Sequence, residues 1–164
     1  MKIASLRRKR LAATAVEFAV VAPVLLFVLF GIFEFCRFLM VKQLAENATR
    51  EGARHAVART DTLQTGTTVA SIQAQVTNYL LQAGFNLKNR VIRVYKSNQA
   101  GEPLDLNGNV VANVAQAASW DQTRFGEYIC VTLDGDFEPI VPSFLNLAPT
   151  IKVNAVVVMC SEGN

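Results

Sequence analysis

An α+β fold is predicted: a long N-terminal membrane-spanning helix leading into a small domain with a second helix and an antiparallel sheet of about three strands. Three features predict it. Phe18 to Phe33 is a run of 16 residues without a charge. Good helix formers then continue to Arg59. Beyond Thr60, apolar residues recur first at helical spacing and then in short Val/Ile-rich runs. The whole chain has 164 residues, about one domain's worth. Apolar residues make up 51% of it, concentrated between Ala13 and Val41.

Charge is equally uneven. Lys2, Arg7, Arg8, Lys9 and Arg10 place five of the 16 basic residues in the first ten positions. The other 11 are outnumbered by 13 acidic residues, a net charge of −2. The overall charge of +3 therefore describes a leader, and nucleic-acid binding by the folded part has no support. No Gly-rich phosphate loop, zinc-spaced cysteine set or internal repeat occurs, so no cofactor or metal is expected.

A spanning helix needs about 20 mostly apolar residues, so the uncharged core is slightly short. It completes a span if Ala13 to Glu17 at one end and Glu34 to Val41 at the other share the interface. Arg37 and Lys42 would snorkel at the outer edge. A cleaved secretory signal would have a shorter apolar region followed by a small-x-small site. Glu34-Phe35-Cys36-Arg37 offers neither that nor a small residue before a lipidated cysteine. A buried helix of a soluble protein would not explain five positive charges directly before the run. Positive-inside topology does, with the N-terminus cytoplasmic and Thr60 onward outside.

Glu17 stands at the beginning of the apolar run, followed by Phe18. A carboxylate in lipid costs roughly 2.5–3.5 kcal/mol at a helix centre and less near the interface. Two readings stay open on the residues alone. Glu17 pairs with an ammonium group freed by an upstream cut, or it marks the interface near the positive helix N-terminus.

Ala12-Ala13-Thr14-Ala15-Val16-Glu17-Phe18 resembles the processing site of Flp-type prepilins. Cutting between Ala12 and Ala13 would make Glu17 the fifth mature residue and Phe18 the sixth. The run Ala15 to Leu26, then Gly31 to Arg37, is similar to TadE-like proteins of the tight-adherence (Tad/Flp) pilus system. Ala48-Thr49-Arg50-Glu51-Gly52-Ala53-Arg54-His55-Ala56-Val57 is too. The resemblance is strong over Arg10 to Val57. It is weaker at Asp136-Phe-Glu-Pro-Ile-Val-Pro, which resembles the family's turn before the last strand. One departure is Ala12, where the family carries Gly before the cut.

The resemblance implies a minor pseudopilin acting in pilus assembly or initiation from the bacterial inner membrane, with incorporation into the pilus open. Its implied partners are a prepilin peptidase, other pilins or pseudopilins (a TadF-like protein among them), the inner-membrane assembly platform and the lipid bilayer. The chain then divides into a cleaved basic leader (1–12), a transmembrane helix (13–41), its periplasmic extension (42–59) and a periplasmic α+β domain (60–164). The alternative is an unprocessed, membrane-anchored binding or assembly module that never enters a filament.

One helix from Ala13 to Arg59, about 47 residues at 1.5 Å each, would be about 70 Å long. That is more than twice the hydrocarbon thickness, so its outer half stands clear of the membrane. Pro23 removes one backbone bond and is expected to kink the spanning half. Val41, Leu44, Ala45, Ala48, Gly52, Ala56 and Arg59 form a seam at spacings of three and four. Its small members, Ala45, Ala48, Gly52 and Ala56, allow close approach, either by this chain's own domain or by the helix of another pseudopilin. Glu46/Arg50 and Glu51/His55 read as i,i+4 pairs on a solvated face.

In the outer domain, Thr60 to Thr68 reads as a polar linker. Val69, Ile72, Val76, Tyr79, Leu80 and Ala83 follow helical spacing, capped by Thr67 or Thr68 and stopped by Gly84. Strands are expected at Val91 to Lys96, Tyr128 to Leu133 and Ile151 to Met159. Ser97 to Gly108 reads as loop.

Some features only look chemical. Asp105-Leu-Asn107-Gly-Asn109 lacks the Gly and Glu that an EF-hand needs at its sixth and twelfth positions, and reads as a turn. Asp134, Asp136 and Glu138 read as a solvated strand end. Cys130 and Cys160 fall on two predicted strands, and an oxidising compartment lets such a pair form a disulfide. Sequence does not set its geometry, so bonded and free states both stay open. Cys36 reads as a small apolar residue. With one His and no nucleophile–base pair, no enzyme activity is expected.

Overall fold

The computed structural model describes residues 2–58, 68–140 and 148–161, with side chains from residue 14 onward. Arg59, the expected linker at 60–67 and Val141-Pro142 of the family-like turn lie outside the described residues, as do the side chains of Ala12 and Ala13.

Helix α1 spans Lys2–Val57, 56 residues, about 84 Å at 1.5 Å per residue. It therefore includes the five basic residues between Lys2 and Arg10, and it stops at Val57 rather than Arg59. It continues through Pro23 without interruption, since a proline deletes only one bond of a ladder held on both sides. From Val16 to Met40 its large apolar side chains face outward, except Phe38, which is half-buried against the domain. From Val41 onward one face is buried: Val41, Ala45, Ala48 and Ala56 have almost no exposed surface.

Helix α2 (Val69–Gln82) begins with a capping box. The Thr68 hydroxyl accepts from the Ser71 amide, and the Ser71 hydroxyl accepts from the Thr68 amide. It ends in a Schellman motif, with Gly84 N–H donating to the Leu81 carbonyl and Phe85 N–H to that of Leu80. Gly84 sits at φ 78°, which a side chain would strain.

Three strands, β1 (Lys88–Ser97), β2 (Tyr128–Phe137) and β3 (Ile151–Cys160), form an antiparallel sheet in the order β1-β2-β3. Both β1 and β2 are longer than the sequence suggests. Asp134, Asp136 and Glu138 were expected at a solvated strand end, but the first two belong to β2. Each has a partner: Arg93 and Asn154 donate to Asp134 at 2.6 Å, Asn89 to Asp136 at 2.7 Å, and Lys88 bridges Glu138 at 2.7 Å. Alternation puts these polar groups on the outer sheet face, so the strand continues through them.

The inner face carries Ile129, Val131, Leu133, Phe137, Val153 and Ala155 against the helices, all buried. One core cluster joins Val41, Ala45 and Ala48 of α1 to Val76 and Leu80 of α2 and to β2 and β3. A second joins Ala56, Val57, Ile72 and Ile129 around Trp120. The 98–118 connection folds over the outer face. Asp105 organises its turn by accepting from the Asn107 and Asn109 amides, both at 2.8 Å. The bond from the Asn109 backbone is the main reason its carboxyl lies below the usual range.

The small-residue seam has a definite use here. A Cβ on Gly52 would stand 2.4 Å from Val76 Cγ2 and 3.7 Å from Ile72 Cγ2. Val76 is fully buried and β-branched, so it has little freedom to turn away. Gly52→Ala is expected to cost about 1–3 kcal/mol by overpacking, read as a lower melting temperature of the whole chain. An unchanged melting temperature would mean α1 and α2 are not in this contact.

Candidate functional site

The candidate site is α1 itself, in three parts. At its N-terminal end, Glu17 and Phe18 are both exposed on the helix surface, Phe18 to 71%. Ala12 and Ala13 precede them within α1. The middle part carries Val20, Val24, Phe27 and Ile32, all exposed, and Pro23 lies among them. Thr14–Val57 contains a segment long and apolar enough to cross a membrane, and among the described residues its most apolar window is not buried.

The third part is the junction with the globular domain, where the fold brings together residues far apart in sequence. Glu34 is only 2% exposed. Its Oε1 accepts from Arg37 Nη1 at 2.8 Å and from the Ile140 amide at 2.9 Å. The Arg37 guanidinium also lies 5.2 Å from the centre of the Phe137 ring, within cation–π range. Phe38 meets the same ring edge-on at 5.9 Å. The end of β2 is thus clasped to one turn of α1. Glu34 and Arg37 were singled out in the sequence as boundary residues. Phe137 and Ile140 fall within the family-like turn Asp136-Phe-Glu-Pro-Ile-Val-Pro, but nothing in the sequence marks them as partners of α1.

Of the two readings of Ala45, Ala48, Gly52 and Ala56, packing against the chain's own α2 and sheet is the arrangement seen. They are already covered by this chain's own domain and are not open to another subunit's helix.

Cys130 and Cys160 are free thiols, the second of the two states the sequence left open. The strand register explains why. Cys130 lies opposite Val158, and Cys160 opposite Tyr128. The two cysteines are therefore diagonal neighbours, typically 7–8 Å apart at Cα, beyond the usual reach of a disulfide. Burial raises the Cys130 thiol above its usual range, against a smaller opposing effect of Tyr95. Cys36 is also free, and exposed. Among the described residues no group of three or more His, Cys, Asp or Glu could hold a metal.

The family comparison falls on the same helix. Residues 12–54 match the family model described as TadE-like protein. No curated protein and no solved structure matches the chain. The matched segment holds the exposed apolar half of α1, the Glu34 clasp and the seam up to Gly52. Residues 12–54 therefore carry the TadE-like signature, consistent with a TadE-like, pilus-associated protein of the Tad/Flp system.

Proposed function

We propose that this chain is a minor pseudopilin that takes part in assembly or initiation of a Tad/Flp-type pilus, a structural rather than a catalytic role. The observation that carries the reading is the division of α1. Its C-terminal part is buried in the chain's own domain, while Phe18 to Phe33 is apolar, largely exposed and inside the TadE-like match. Such a surface suits a helix held first by lipid and then by other pilin helices. The five basic residues before it favour a cytoplasmic N-terminus and a periplasmic domain at the bacterial inner membrane. The partners are a prepilin peptidase, other pilins or pseudopilins, a TadF-like protein among them, and the assembly platform. Nucleic acid has no part in it.

Cleavage between Ala12 and Ala13 would free an ammonium group one helical turn from Glu17. Intact mass of the protein from membranes, with and without the cognate prepilin peptidase, tests this. A peptidase-dependent loss of residues 1–12 is expected. An unshortened chain in the presence of the peptidase would favour the alternative, a membrane-anchored assembly module with its basic tail intact.

A further inference from the structure

We propose that the globular domain rests on the lipid surface through the edge formed by Ile140 and Ile151, with Ile140 inserted among the lipid chains. This rests on the reading of α1 as a spanning helix and adds where the span ends.

The length of the span comes first. Phe18 to Phe33 covers about 24 Å as helix, against a hydrocarbon core of about 30 Å. About four more residues must therefore enter the lipid at one end or the other. Extension toward the N-terminus would immerse Glu17, whose carboxylate is exposed. Extension toward the C-terminus would immerse Glu34, which is already removed from solvent and already bonded to Arg37 and to the Ile140 amide. Its second oxygen, Oε2, is buried without a hydrogen bond, so the domain and not water covers it. A carboxylate desolvated by its own protein loses little when lipid replaces water outside. The hydrocarbon boundary therefore falls near the turn Glu34 to Arg37.

Among the described residues, the domain meets that turn of α1 at Phe137 and Ile140. Ile140 is held there by its bond to Glu34, yet its own surface is 65% exposed. On the same stretch of α1, Phe35, Leu39 and Met40 are also exposed. Between helix and domain runs a groove of about 440 Å³, lined by Phe27, Gly31, Phe35, Phe38, Phe137 and Ile151, with Glu34 its one charged residue. Phe27 and Gly31 belong to the uncharged run itself, so the groove is continuous with the lipid-facing surface. A lipid acyl chain is the occupant that fits this continuity and these apolar walls. Apolar side chains presented at the membrane surface gain by burial in the headgroup–acyl boundary.

Brominated-lipid quenching tests this on the whole chain reconstituted in vesicles of phosphatidylethanolamine and phosphatidylglycerol. The parent, whose one tryptophan is Trp120, supplies the background. Ile140→Trp places an indole at the proposed contact. Phe125→Trp places one at an exposed site beyond the opposite end of β2, about 30 Å away along the strand. Acyl-chain bromines are expected to remove more than about half of the emission added at position 140 and none of that added at position 125, at the range of a shallow interfacial group. Equal quenching at the two positions, in a chain that resists alkaline extraction, overturns the proposal and points to a protein neighbour on this edge. A chain released by alkaline extraction overturns it together with the spanning reading of α1, so the two failures are distinguishable.

Discussion

Glu17→Gln is expected to abolish pilus assembly while leaving the level, fold and membrane insertion of the protein unchanged. Glutamine keeps the size of the side chain and removes only the charge. Glu17 is exposed on α1, and its neighbour Phe18 is exposed as well, so neither contributes to the folded domain. A carboxylate near the apolar span carries a cost of up to roughly 2.5–3.5 kcal/mol if drawn to a helix centre. Bundling into a filament would draw it inward, where only pairing with an ammonium group relieves that cost. The pairing, with the new N-terminus of this chain or of a neighbour, would set the register of one helix against the next. Sheared pili measured by immunoblot should fall at least about tenfold, a loss of about 1.4 kcal/mol per assembly contact. Circular dichroism and alkaline extraction should match the parent. Normal piliation of the variant would remove the case for this role.

Trp120→Ala is expected to cost about 3–5 kcal/mol of stability, the range for truncating a large buried aromatic. Trp120 lies in a short 3-10 helix of the long β1–β2 connection and is 3% exposed. Around it pack Ala56 and Val57 of α1, Ile72 of α2 and Ile129 of β2, so one side chain joins a loop to three elements. Domains of this kind hold only about 5–15 kcal/mol in all. The melting temperature of the full chain in detergent, followed by circular dichroism, should fall by more than about 10 °C. Trp120→Phe, which keeps a ring, should lose less than half as much. A shift under about 3 °C for the alanine variant would mean that the connection is not part of the core.

Much of the fold was legible because the signals are local. The uncharged run, the string of helix formers, Thr68 and Gly84 at the two ends of α2, and the Val/Ile-rich runs each act within a turn or two of themselves. They led to the right elements in the right order. The strand ends were harder to read. Asp134-Gly-Asp136 looks like a strand terminus by composition, yet Arg93, Asn89 and Asn154 reach it from adjacent strands and keep it inside β2. Gly135 belongs there for a similar reason: a Cβ at that position would stand 2.9 Å from Leu87 Cβ.

By itself the sequence determined that five basic residues precede an apolar helix segment long enough to cross a membrane, that a small α+β domain follows, and that residues 12–54 look TadE-like. Only the tertiary structure decided what the seam touches, that Cys130 and Cys160 lie on a diagonal, and that Glu34 meets Ile140 across 106 residues of chain. The physical reason is the range of the forces involved. Periodicity, capping and hydropathy are written in neighbouring residues, whereas register and burial depend on which distant segments share a face once the chain has closed on itself.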